Sequence, residues 1–302
     1  MMKLFSFSKK NETGIGIETS DGLWDLTEAL DIYQRAKGIK PPAAFPFLQV
    51  LVELGYCSGE MLRQVLAEPW VQSKKGQMEL EKDIQLELPI PRPSKIFGLG
   101  QNYKAHAKEL DHQVSDEPVF FSKASSALIR HEAEIIIPEW LNERVDHEAE
   151  LALIIGKEAK NVTKEEAISY LAGYTILNDV TARAMQKQDM EHSRPWFRSK
   201  SIDTFCPMGP YLVPADEIPD PDKLEIELTV NGKIRQKAKT SDMIFKVPEI
   251  ISYISKFMTL NPGDIIATGT PAGVSPIQDG DVIEITITDL GTLRNRVVKE
   301  VQ

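Results

Sequence analysis

The chain has 302 residues, enough for a large core in one or two domains, and its 42% hydrophobic and 26% charged residues are the proportions of a globular protein in water. A formal charge of −10 and a pI near 5.2 argue against the basic surface that a phosphate backbone needs, so no nucleic-acid partner is expected. No run approaches the ~20 apolar residues of a membrane span, and MMKLFSFSKKNETG has no apolar signal core, so neither a membrane nor export is expected.

Short strands at Lys3–Phe7 and Gly14–Glu18 precede an Asp21-Gly22 turn, and helical patterns follow near Leu26–Ala36, Pro46–Leu54 and Ser58–Leu66. This first unit holds no cluster of catalytic residue types. Gln72–Glu87 and the PIPRPSK segment (89–95) read as a linker, which divides the chain into a small domain, 1–88, and a main one, 89–302.

From Ile96 onward strands outnumber helices. The apolar run Leu151–Ile155 predicts a buried strand, and Tyr174–Leu177 another. Helices are expected over Thr163–Leu171, where Thr163 and Glu166 make a capping box, and over Val247–Met258, with Pro248 in the first turn. A third should start around Thr181. Asn231-Gly232 between Leu224–Val230 and Lys233–Ala238 is a strong hairpin signal. Asn261-Pro-Gly and Asp279-Gly280 turn the chain into strands Asp264–Thr268 and Asp281–Thr288. This order lacks the regular β-α-β alternation of a nucleotide-binding fold, and GLGQNY lacks the full GxGxxG pattern.

The stretch VDHEAELALIIGK (145–157) feeds Asp146, Glu148 and Glu150 into the buried strand. Alternate strand residues share a face, so Glu148 and Glu150 point the same way and repel unless a positive group sits between them. A solvated strand end is the other reading. In YTILNDVTARAMQ, Asp179 is either a helix N-cap or a third carboxylate beside those two. Three oxygen donors suit Mg²⁺, Mn²⁺ or Ca²⁺ rather than zinc or copper. In GLGQNYKAHAKEL, His106 and Glu109 fall on one helix face, as a surface pair or as a base oriented by its carboxylate. Lys123 in PVFFSK and Lys200 in RPWFRSK follow apolar and aromatic residues, although most lysines are solvated.

Together and in this order, GQNYKAHAKE, PVFFSK, DHEAELALIIGK, GYTILNDVTARAMQ, RSKSIDTFCPMGP and GDIIATGTPAGV resemble the fumarylacetoacetate hydrolase family over roughly residues 96 to 275. The stretch from Ile218 to Leu260 is similar to the acylpyruvate hydrolase and oxaloacetate decarboxylase branch. The resemblance implies an α+β fold, a mixed β-sandwich-like roll, here preceded by the small α+β unit. It implies a Mg²⁺ or Mn²⁺ site at Glu148, Glu150 and Asp179, a His106–Glu109 dyad on a lid, and Lys200 beside the metal. Lys123, Arg183, Gln186 and Thr270 carry over as substrate contacts, and a homodimer is implied. The HSRPWFRSK passage, with Ser193, varies between branches and leaves substrate size open.

The expected activity is therefore metal-dependent C–C cleavage in a small 2-oxo (di)carboxylic acid, first of all acylpyruvate or fumarylpyruvate hydrolysis. His106 would take a proton from water, and Lys200 would face the enolate left when the C3–C4 bond breaks. Oxaloacetate decarboxylation or tautomerisation is the first rival, and isomerisation/decarboxylation of a 2-hydroxyhepta-2,4-diene-1,7-dioate the next. A rival of another class is a binding or regulatory protein with a vestigial site, against which the intact residue set counts. Cys57 and Cys206, far apart and outside any CxxC pair, suit a reducing cytoplasm and exclude a thiolate zinc site.

Overall fold

The computed structural model describes residues 1–10, 12–36, 38, 47–80, 83–109 and 115–300. The chain opens with the antiparallel strands β1 (Lys3–Lys9), β2 (Glu12–Thr19) and β3 (Gly22–Asp25). Helices α1 (Thr27–Ala36), α2 (Leu48–Glu53), α3 (Gly59–Ala67) and α4 (Pro69–Lys74) follow, then β4 (Gln85–Glu87). Next come β5 (Ile96–Gly100), α5 (Lys104–Glu109), β6 (Val119–Ser122), β7 (Leu128–Ile129), β8 (Glu134–Ile137), β9 (Val145–Asp146), β10 (Ala149–Ile155) and β11 (Leu171–Asn178). The rest is β12 (Thr181–Ala182), α6 (Arg183–Glu191), α7 (Phe197–Lys200), β13 (Cys206–Pro214), β14 (Glu225–Val230), β15 (Lys233–Lys239), α8 (Val247–Phe257), β16 (Ile265–Ala267), β17 (Val282–Ile287) and β18 (Gly291–Lys299).

Among the described residues one sheet runs β3-β2-β1-β13-β11-β10-β16-β5-β6, with β4 and β7 on its flanks, and a second runs β15-β14-β17-β18-β8. Both are mixed: β16–β5 and β18–β8 pair parallel. The fold is α+β, as expected. Strand β10 shows why its sequence is apolar without interruption. Leu151, Leu153 and Ile155 face a core shared with Ile226, Leu228 and Ile285 of the second sheet. Ala152 and Ile154, on the opposite face, pack in a core with Leu4, Ile17, Leu51 and Leu62 of the N-terminal segment. A strand covered on both faces reads as a continuous hydrophobic run. The N-terminal strands also enter the large sheet directly, through β1 beside β13 at Leu4 and Leu212.

The Asn231-Gly232 hairpin forms, with both residues at positive φ (52° and 72°), the backbone this two-residue turn demands. Helix α8 forms with Pro248 in its first turn. Of the expected helix 46–54, Leu48–Glu53 is helical and Pro46 lies outside the described residues. Two other expectations differ. Thr163 does donate to Glu166 (2.9 Å), but the segment tightens into a short 3₁₀ turn at Ala167–Tyr170. The Tyr170 carbonyl is drawn away by the amides of Gly156 (2.7 Å) and Lys157 (3.2 Å), and Leu171 opens β11. The helix expected near Thr181 starts at Arg183, because Thr181 and Ala182 first pair with Asp146 and Val145. The stretch read as linker carries the end of α4 and all of β4, whose Glu87 pairs with Ser6. Among the described residues no helix is long and apolar enough to cross a membrane.

Candidate active site

The antiparallel register of β10 and β11 sets Ala149 opposite Asn178. Asn178 Oδ1 accepts from the Glu148 amide (2.9 Å), and the Asp179 amide donates to the Glu148 carbonyl (2.9 Å). These ties bring Glu148, Glu150 and Asp179 together, each offering a carboxylate oxygen within 4.8 Å of the others. All three are buried. Asp179 is not a helix cap, since the residue preceding α6 is Ala182.

Cations surround two of the three. Lys200 Nζ reaches Glu148 Oε2 (2.8 Å) and Asp179 Oδ2 (2.6 Å), and Lys123 Nζ reaches Asp179 Oδ1 (2.6 Å). Arg183 donates to Glu148, to Asp146 Oδ2 (2.8 Å) and to Gln186 Oε1 (2.6 Å). Burial opposes the Glu148 charge, but Lys200, Arg183 and His106 outweigh it and hold the carboxyl below the usual range. Burial likewise opposes the Lys200 ammonium, and Asp179 and Glu148 more than compensate, so its pKa is raised. Glu150 is different. Its Oε2 accepts from the Gly269 amide (2.6 Å), but the buried Oε1 has no hydrogen-bond partner among the described residues. Burial, reinforced by Asp179 and Glu148, pushes its carboxyl well above the usual carboxylate value. A divalent cation fits this arrangement: three oxygen donors converge, and the one without a counter-charge carries an orphaned oxygen.

Helix α5 brings the second group. His106 Nδ1 lies 3.1 Å from Glu109 Oε2, so Nδ1 carries the proton and Nε2 is the basic nitrogen. Glu109 also accepts from the Gly273 amide (3.1 Å), which latches α5 onto the GTPAGV loop. Gly273 sits at φ +101°, and a Cβ there would strike the Arg235 carbonyl, so only glycine serves. Asn102, just before α5, holds the helix base through the Phe245 amide (2.8 Å) and the Thr268 carbonyl (2.7 Å).

His106, Glu148, Arg183, Gln186, Lys200 and Thr270 all line one small cavity. Thr270 Oγ1 already donates to the Ala149 carbonyl (3.0 Å) and accepts from Gln236 (2.8 Å). Lys123 sits further in, its ammonium engaged by Asp179 and by the Lys200 carbonyl. Sequence reasoning missed the roles of several supporting residues. Asp146 orients Arg183; Gln236, the buried residue of β15, ties Ala149, His147 and Thr270 together. With Gln236 Oε1 accepting, His147 donates from Nδ1 and accepts from Ser275 at Nε2 (2.8 Å). Burial lowers its pKa, in keeping with this neutral, structural histidine. The signal available was the lone Gln in KIRQKAK, too weak to assign.

Residues 95–298 match the model of the fumarylacetoacetate (FAA) hydrolase C-terminal region. The chain belongs to the fumarylacetoacetate hydrolase family. An uncharacterized protein of Pyrococcus abyssi is 53% identical over 209 residues, covering 69% of this chain and 92% of that protein. Among solved structures, maleylpyruvate hydrolase from Sphingobium sp. SYK-6, in complex with manganese(II) ion and pyruvate, is 32% identical with a TM-score of 0.76, covering 99% of this chain and all (100%) of that one. The 2-hydroxyhepta-2,4-diene-1,7-dioate isomerase of Mycobacterium marinum is 32% identical with a TM-score of 0.72, both chains covered completely (100%). Solved fumarylacetoacetate hydrolase relatives are thus enzymes, hydrolases and isomerases among them.

Proposed function

We propose that this family member is an acylpyruvate-type hydrolase that cleaves the C3–C4 bond of a small 2,4-dioxo acid, with Mg²⁺ or Mn²⁺ held by Glu148, Glu150 and Asp179. The observation that supports it is the His106–Glu109 dyad and Lys200 opening on the same cavity as Glu148, beside the orphaned Glu150 oxygen. When bound, the ion supplies a Lewis acid for the carboxylate and keto oxygen of the 2-oxo acid. Arg183 and Gln186, braced against each other, orient that carboxylate. His106 Nε2 removes a proton from water, which adds to the C4 carbonyl, and Glu109 stabilises the imidazolium. The C3–C4 bond then breaks, its electron pair moving onto the pyruvate fragment as an enolate facing Lys200. His106 returns its proton to C3, leaving pyruvate and a carboxylic acid.

The likeness to the Mycobacterium marinum isomerase supports a second reading, in which the 2-hydroxy group of a dienol acid loses its proton and the resulting dienolate is reprotonated on carbon, with no C–C bond broken and no water added. Oxaloacetate decarboxylation, by contrast, passes through the same pyruvate enolate as the hydrolysis. Purified protein with Mn²⁺ is expected to release pyruvate from acetylpyruvate or fumarylpyruvate, and to stop on adding EDTA. Turnover of the heptadienedioate or of oxaloacetate alone would replace the hydrolase reading. We further propose a cytoplasmic homodimer in which residues 1–88 form a supporting unit; the two free cysteines suit that compartment.

A further inference from the structure

The cavity holding the reactive groups is small, about 30 Å³. Sites for small organic ligands run to roughly 300–1,000 Å³, so the rest of a substrate needs space on the far side of some wall. Two side chains in that wall, Phe121 and Trp196, also line a groove of about 410 Å³ open to the surface.

The wall is built by two glycines at alternate positions of β5. A Cβ on Gly98 would come 2.5 Å from Phe121 Cζ, and one on Gly100 would come 2.7 Å from Trp196 Cζ3. Alternate strand residues share a face, so the bare Gly98–Gly100 face lets both rings lie against the backbone. The rings touch, with centroids 5.7 Å apart, and Phe121 lies under Lys200 Nζ at 5.1 Å. A continuous column thus runs from the Lys200 ammonium through Phe121 to Trp196. Trp196 is half-buried and stands between helices α6 and α7. Beyond it the groove is mostly aromatic, with Phe97, Phe120 and Phe197, and Arg194 is the cation that lines it among the described residues.

We propose that Trp196 is the partition between the reactive cavity and a distal-group subsite, and that the groove takes the acyl tail of the substrate, preferring a tail that ends in a carboxylate. The proposal rests on the reading above for the position of the 2-oxo acid end. The rings would flank an extended tail, and Arg194 would meet its anionic end. A tail reaches the groove only past Trp196, whereas pyruvate has no tail to place there.

The test uses the full chain loaded with Mn²⁺ and three probes: pyruvate, 2-oxohexanoate (neutral tail) and 2-oxoadipate (carboxylate tail). Titration calorimetry is expected to rank 2-oxoadipate above 2-oxohexanoate. Arg194→Ala should lower that affinity ratio about ten-fold, the scale of one charge-assisted hydrogen bond, and Arg194→Lys should restore most of it. Trp196→Ala should raise the affinity of both tailed acids relative to pyruvate several-fold, with Trp196→Phe between. Ratios that stay flat in all four variants, or tailed acids and pyruvate changing in parallel, overturn the subsite. Assays of acetylpyruvate and fumarylpyruvate on the same preparations separate the two ideas. Absent turnover with shifted ratios removes the hydrolase and keeps the subsite; turnover with flat ratios does the reverse.

Discussion

Ion pairs occur in two settings in this molecule, and only one of them decides chemistry. On the N-terminal segment, Lys74 reaches Glu28 at 3.0 Å with both side chains well exposed (41% and 64%). In the candidate site, Lys123 reaches Asp179 at 2.6 Å with both side chains wholly buried (0% and 0%). The geometries are alike. Water screens the first pair, so forming or breaking it changes little. Around the second, the low dielectric makes every unmatched charge costly. The site is therefore a charge-matched set in which Lys123 and Lys200 answer Asp179 and Glu148, while Glu150 is left over.

The largest test of this contrast is on catalysis. His106→Ala is expected to reduce acylpyruvate hydrolysis by ~10²–10⁴-fold, the usual contribution of a positioned base. Any oxaloacetate decarboxylation should survive better, because it needs no attacking hydroxide. Glu109→Gln should reproduce that selective loss, and Lys200→Ala should damage both activities. Equal losses of both reactions in the His106 and Glu109 variants would remove the base from the scheme.

Next is stability. Lys123→Met leaves Asp179 with one fewer cation in a buried site and should cost ~3–5 kcal/mol in urea unfolding. Lys74→Met should leave the midpoint where it is. Similar shifts for the two variants would erase the distinction between the settings.

A packing change should be milder. Gly98→Ala forces a methyl group against Phe121, 2.5 Å from its Cζ, and overpacking of this kind costs ~1–3 kcal/mol. Urea midpoints measure it, and the companion Gly98→Ala/Phe121→Leu double variant should recover part of the loss.

The smallest expected effect is the dependence of metal-free stability on pH. The folded-state pKa of Glu150 is raised well above 4.5, chiefly by burial. The folded protein therefore keeps a proton that the unfolded chain releases, and this group's contribution makes stability fall as pH rises from about 4.5 toward the folded value. Glu150→Gln should flatten that slope and stabilise the metal-free protein, while abolishing metal-dependent turnover. Mn²⁺ binding to the unaltered chain should release a proton, measurable by calorimetry in buffers of different ionisation enthalpy. A slope identical in the Gln variant would show that Glu150 is not the leftover charge.

Much of the architecture was legible along the chain because it obeys local rules. The hairpin at Asn231-Gly232 and helix α8 form where turn chemistry and capping place them. The failures share a cause. The Thr163–Glu166 pair forms, yet the helix does not propagate, because the Tyr170 carbonyl is claimed by amides beside β10. Capping measures a local preference, and a neighbouring strand overrode it.

For the site, the sequence by itself determined the residue types and the common direction of Glu148 and Glu150, since strand alternation is a property of the backbone. It also determined that His106 and Glu109 would meet if their segment were helical. Only the tertiary structure decided that the β10–β11 register sets Asp179 against Glu148, and that Lys123 lies behind the carboxylates while Lys200 reaches the cavity. It alone decided that Glu109 grips the Gly273 amide and that one oxygen of Glu150 goes unpaired among the described residues. The physical reason is range. Side-chain direction is set by the nearest few peptide units, whereas the charge balance of a buried site depends on groups that only folding brings within a few ångströms.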